Sequence, residues 1–244
     1  MDLIPQELID TIIDNVPESS LLSCSLVAKR WRRKSQQRAF DTISFSSEDE
    51  VNRWCTDIPH SSDGISSYVR HVKIEEISSW AEPALLSRML ESLSSLTTLS
   101  MDTTEIPDEL PGRISCGEFG NGITALYLDI PSCTPATMTS MILSLPNLKE
   151  LYIGDWEIMP GGPLPTHPVT PQRPPLDSLE LRGWWGGVGK ALAKSRLTFS
   201  RISSDIGITD IAELLLVSSE TLVELKLCGA WFLRVPRPSR DDSD

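Results

Sequence analysis

The chain has 244 residues, 40% of them hydrophobic, and a formal charge of -12, so it is long enough for one small module and one substantial domain. Such acidity disfavours a phosphate backbone as partner and leaves proteins of basic or mixed charge. No stretch reaches the ~18 apolar residues that a bilayer span needs.

The acidic excess is uneven. Residues 1–45 balance, residues 46–130 carry fifteen acids and five bases, and residues 131–244 carry thirteen and eleven. The five cysteines, at 24, 55, 116, 133 and 228, form no Cys-x-x-Cys pair and are odd in number, which argues against a disulfide framework. Together with an N-terminus that lacks a basic region followed by an apolar run, this leads to the expectation of a cytosolic or nuclear protein with no membrane partner.

Pro5 suits the first turn of a helix, and Leu8, Ile9, Ile12, Ile13 and Val16 follow at helical spacing, which predicts one apolar face. Pro17 ends that helix and Ser19 or Ser20 can cap the next. Leu21, Leu22, Cys24, Leu26, Val27, Trp31 and Phe40 then supply a second apolar set. Lys29–Lys34 is the one basic cluster; it fits a solvated helix face or a nuclear-import signal. Helices this short bury little surface alone and require a partner or a neighbouring domain.

The run from residue 2 to residue 45 resembles the F-box, the helical module that binds the Skp adaptor of cullin-RING ubiquitin ligases, with Ile4 where leucine usually precedes the proline. The resemblance implies a Skp-type adaptor as partner and, through it, a cullin scaffold. It puts Ile4, Pro5, Leu8, Ile12, Leu21, Leu26, Val27 and Trp31 at adaptor-contacting or module-core positions. The alternative for this segment is a helical hairpin capping a larger domain.

Residues 46–64 read as a polar linker around a short helical turn, Val51–Cys55. From residue 65 to residue 235 one apolar pattern returns: Val69/Val72/Ile74, Leu96/Leu99/Met101, Ile123/Leu126/Leu128, Leu148/Leu151/Ile153, Leu176/Leu179/Leu181 and Leu222/Leu225/Leu227, with a weaker copy at Leu197/Ser200/Ile202. First positions lie 27, 27, 25, 28, 21 and 25 residues apart, and the segments resemble leucine-rich repeats. Helix-like stretches at Glu82–Ser95, Pro135–Leu145, Val188–Lys194 and Thr209–Ser218 separate several of them. The fold expected is α/β: an all-α N-terminal module, then a short irregular solenoid with a parallel concave sheet and helices and loops on the convex side. Residues 159–175 form a Pro-rich insertion and residues 236–244 a polar tail.

Period-two alternation sends the side chains between the apolar positions to the sheet's other face. There Lys73, Asp102, Tyr127, Asp129, Glu150, Tyr152, Arg182 and Arg201 are candidates for binding a protein substrate, as are Trp184 and Trp185 just past one strand. Trp156 and Trp231 stand at comparable places. Gly183–Ala191 suggests a phosphate loop but has Trp184 where a glycine is needed and Ala191 where a magnesium-binding hydroxyl is needed. His60, His71 and His167 are far apart, so no catalytic set, metal site or cofactor is expected. The function expected is a non-catalytic substrate-recognition subunit of an SCF-type ubiquitin ligase. The alternatives are a repeat-type interaction module outside any ligase, its N-terminal helices acting as a solenoid cap, and a hydrolase or nucleotide enzyme on another fold.

Overall fold

The computed structural model describes residues 4–57, 64–102, 105–116, 119–129, 131, 133–155, 174–183, 188–205 and 208–227, with only the backbone of 208–210. Three helices come first: α1 (Gln6–Asp14), α2 (Glu18–Val27) and α3 (Lys29–Ala39). Strand and helix then alternate as β1 (Thr42–Phe45), α4 (Glu48–Asp57), a 3-10 turn (Ile65–Tyr68), β2 (His71–Glu75), α5 (Ala84–Glu91), β3 (Thr98–Asp102), α6 (Leu110–Ser115), β4 (Ala125–Asp129), α7 (Pro135–Ser144) and β5 (Glu150–Ile153). After these come β6 (Ser178–Leu181), α8 (Val188–Lys194), β7 (Arg201–Ser204), α9 (Ile208–Ser218) and β8 (Glu224–Leu227).

The eight strands form one parallel sheet in the order β1 to β8, so each strand pairs only with those before and after it. Parallel neighbours need a crossover, and helices α4 to α9 supply it wherever one is described. The register runs Ile43, Val72, Leu99, Leu126, Leu151, Leu179, Ile202 and Leu225 in one row, and Phe45, Ile74, Met101, Leu128, Ile153, Leu181, Ser204 and Leu227 in another. From β2 to β6 these positions are buried, and they share one apolar cluster with Leu85, Leu86 and Met89 of α5, Met138, Met141 and Ile142 of α7, and Leu192 of α8. Helices therefore cover one face of the sheet, and the other stays open.

The expected strands are present, but the structure corrects one register and adds one strand. The weak copy at Leu197/Ser200/Ile202 was out of step. Ile202 pairs with Leu179 and Leu225, so the matching triad is Phe199/Ile202/Ser204, with the fully buried Phe199 in the leading position. Leu197 is buried as well, so two apolar residues two positions apart compete for that place in the pattern. A further copy, Phe40/Ile43/Phe45, was missed because it lies inside the segment assigned to the helical module; its strand pairs with β2.

Residues 46–64 are also more than a linker. Helix α4 buries Val51 and Trp54 in the main core, and Trp54 packs edge-on to Phe45 with ring centroids 5.8 Å apart. The Trp54 indole N–H donates to Ser92 Oγ at 3.3 Å. Glu48, in the first turn of α4, accepts hydrogen bonds from the backbone N–H groups of Ala81 and Glu82 just ahead of α5. The Pro-rich stretch up to residue 173, residues 228–244, and Trp156, Trp184, Trp185 and Trp231 lie outside the described residues. So do His60, His167 and Cys228.

Inside and outside are set by a single residue step, which a pair of substitutions tests. Leu151→Ala removes a buried side chain and is expected to destabilise by about 2–5 kcal/mol, whereas Lys73→Ala on the open face should change stability by less than about 1 kcal/mol. Denaturant melts read both, and equal losses would mean that the two faces are exchanged.

Candidate functional sites

Helix α1 carries apolar side chains on two sides. Ile9 and Ile13 are buried and pack with Leu21 of α2, supported by Val16, Trp31 and Ala39. The single apolar face expected from spacing is therefore two. Leu8 and Ile12, one residue earlier in each turn, point outward and are 55% and 44% exposed. Ile4 continues that row at 50%, and α2 adds Leu22 at 56%, Leu26 at 81% and Val27 at 66%. The eight candidate residues thus divide by role: Ile4, Pro5, Leu8, Ile12, Leu26 and Val27 are exposed, Leu21 is core, and Trp31 is half-buried against that core. Leu22 was absent from the candidates and joins the exposed set.

The module is closed from behind by α3. Its Arg38 guanidinium donates to the carbonyl oxygen of Ile13 in the last turn of α1 and to that of Val16 just beyond it, and Lys34 pairs with Asp14 at 3.0 Å. These cations also suit the negative end of the α1 dipole. Neither Ser19 nor Ser20 caps α2. The helix starts at Glu18 behind Pro17, with no side-chain cap.

The second candidate surface is the open face of the sheet. The register lines up Lys73, Ser100, Tyr127, Tyr152, Glu180, Ser203 and Lys226 across seven strands. Tyr127 and Tyr152 are neighbours, with ring centroids 5.9 Å apart, and the Arg182 guanidinium lies 5.9 Å from the Tyr152 centroid. Burial raises both phenol pKa values, and nearby carboxylates add to this: Glu150 at Tyr127, and Asp129 at Tyr152, where Arg182 acts the other way. Lys73 is bonded to Glu75, Arg182 to Glu180 at 2.8 Å, and Arg201 to Asp177 at 2.7 Å. The expected substrate-facing residues Lys73, Asp102, Tyr127, Asp129, Glu150, Tyr152, Arg182 and Arg201 all fall on this face or at its end.

At the end of the central strands, carboxylates fill the space left by glycines. The Asp129 carboxylate lies where a Cβ on Gly154 would stand, and the Asp155 carboxylate lies where one on Gly183 would stand. Asp205 accepts the Gly183 N–H at 2.9 Å. Gly183 has φ +86, a conformation that costs an L-residue about 1–2 kcal/mol.

Among the described residues no three His, Cys, Asp or Glu side chains group as a metal site requires, and no helix is long and apolar enough to cross a membrane. Cys24, Cys55, Cys116 and Cys133 are free thiols. Burial, aided by the charge of Asp108, pushes the Cys133 thiol up to about 12, so it is not a ready nucleophile.

The sequence model of the F-box domain matches residues 1–42, the span of the three helices and their exposed apolar row. The match supports an F-box protein. Among curated proteins no significant match is found.

Two measurements check these assignments. Gly183→Ala is expected to lower stability by at least about 1–2 kcal/mol, because the added Cβ is strained at this φ and must also displace the Asp155 carboxylate, while Gly112→Ala in α6, where a Cβ meets nothing within 4 Å, should raise it by up to about 1 kcal/mol. Thermal melts give both signs. In iodoacetamide labelling at pH 8, read by mass spectrometry, the exposed Cys116 should be alkylated and Cys133 protected; labelling of Cys133 should appear only as the pH approaches about 12 or the chain unfolds.

Proposed function

We propose that this chain is a substrate-recognition subunit of an SCF-type ubiquitin ligase. Residues 1–42 bind a Skp-type adaptor, which links the chain to a cullin scaffold. The sheet domain acts as an irregular leucine-rich-repeat solenoid whose open face binds the protein to be ubiquitinated, and catalysis resides elsewhere in the assembly. The observation that carries this reading is the row of exposed apolar side chains, Ile4, Leu8, Ile12, Leu22, Leu26 and Val27, on the segment that matches the F-box domain.

Six large apolar side chains left in water, five on two short helices and Ile4 just ahead of the first, have a cost that a partner surface removes, at about 1.5–3 kcal/mol for each that becomes fully buried. The row is formed by residues that the module's own core does not use, so binding needs no rearrangement of Ile9, Ile13 and Leu21. The sequential sheet, repeats of similar length and short parallel strands support the solenoid reading. The free thiols agree with a cytosolic or nuclear setting.

Leu8→Asp puts a carboxylate into the surface that the adaptor would desolvate, yet its side chain already faces solvent in the free chain. Adaptor affinity by calorimetry is expected to fall at least a hundredfold, with stability changed by less than about 0.5 kcal/mol. Unaltered affinity in Leu8→Asp, or no binding by the parent chain, would remove the ligase reading.

A further inference from the structure

The open face of the sheet bears two exposed features that one kind of ligand satisfies together. At its centre, strands β3 to β6 present Asp102, Asp129, Glu150 and Glu180, with Arg182 at the end of β6 paired to Glu180. Lys73 and Arg201, to either side, are each engaged by a carboxylate of the same chain. Between the acids stand Tyr127, 37% exposed, and Tyr152 beside it. The negative faces of aromatic rings attract cations, and Arg182 shows this within the chain by lying over Tyr152.

We propose that the partner of this face is a basic, extended polypeptide segment, with Arg or Lys side chains seated over the Tyr127–Tyr152 pair and between the flanking carboxylates. This rests on the reading of the open face as the substrate surface and names the chemistry of that substrate. Charge complementarity selects the occupant: an acidic or phosphorylated segment is repelled by a face whose acids outnumber its bases, and an apolar one takes those charges out of water with nothing to offset the cost. The size agrees as well. From β3 to β6 is three strand spacings of about 4.8 Å, roughly 14 Å, and Asp102 lies two residues further along its strand than the row of Glu180, so an extended segment with two cations about five residues apart reaches both across roughly 16 Å.

The test uses the full chain and a fluorescein-labelled twelve-residue peptide of Arg and Ser, with a counterpart carrying Glu for each Arg, in fluorescence polarisation at near-physiological salt. The Arg peptide is expected to bind and the Glu peptide not to bind. Glu150→Gln/Glu180→Gln keeps the shapes and should weaken binding at least tenfold, and Tyr127→Ala at least fivefold. Asp49→Asn/Asp57→Asn, which removes the same charge from α4, should change it less than twofold. Absence of binding by the Arg peptide, equal binding by the Glu peptide or by a twelve-nucleotide RNA, or equal losses in the two double variants would overturn the proposal. Adaptor affinity measured on the same preparations separates the two ideas. A chain that binds the Arg peptide as described but no adaptor refutes the ligase reading alone, and one that binds adaptor but not the peptide refutes this proposal alone.

Discussion

A strand of four or five residues cannot satisfy its own backbone, and in a parallel sheet it does so only by bonding to a neighbour on each side. From that requirement most of the domain follows. Each new strand must arrive in the same direction as the last, so a crossover must return the chain across the sheet, and a helix that does this brings its own apolar stripe. Because the strands stay in sequence order, each described crossover helix packs beside the next described one, and α5, α7 and α8 share a continuous core with the strands they join. The open face is the remainder: side chains one step out of phase with the core, lined into rows by the register.

The N-terminal helices obey a different economy. Their core is small, Ile9, Ile13 and Leu21 with support from Val16, Trp31 and Ala39, and Arg38 ties α3 to the carbonyl end of α1. The same helices leave more large apolar side chains outside than inside. Exposed apolar rows of this size are uncommon on free-standing domains, and the proposed adaptor docking rests on that feature.

Much of the sheet was legible in the sequence because its signal is redundant. The triad of apolar residues recurs with spacings that vary little, and Pro135–Ser144 and Val188–Lys194 show clear helical stretches between triads. What was lost had tertiary causes. Phe40/Ile43/Phe45 follows the triad pattern, but its neighbours read as helix, and only pairing with β2 makes residues 42–45 a strand. Helix α4 is longer than its apolar residues suggest because Glu48 is held by the backbone ahead of α5. At Ser204 a core position holds a hydroxyl, so the apolar pattern pointed instead to Leu197, which is also buried. On the open face the residue types were readable, but the contact of Tyr127 with Tyr152 depends on the register. On α1, periodicity marked Leu8, Ile9, Ile12 and Ile13 as one set, and only the docking of α2 and α3 decides which pair is inside.

The sequential order of the sheet also has a kinetic consequence. Strand partners are always about 25 residues apart along the chain, roughly a tenth of its length, so no contact between neighbouring strands waits for distant segments to meet. The entropy of loop closure is met in small, similar steps, each rewarded at once by a row of core side chains. Such a chain can add strands in the order in which a ribosome delivers them, with a single growing edge exposed at any moment.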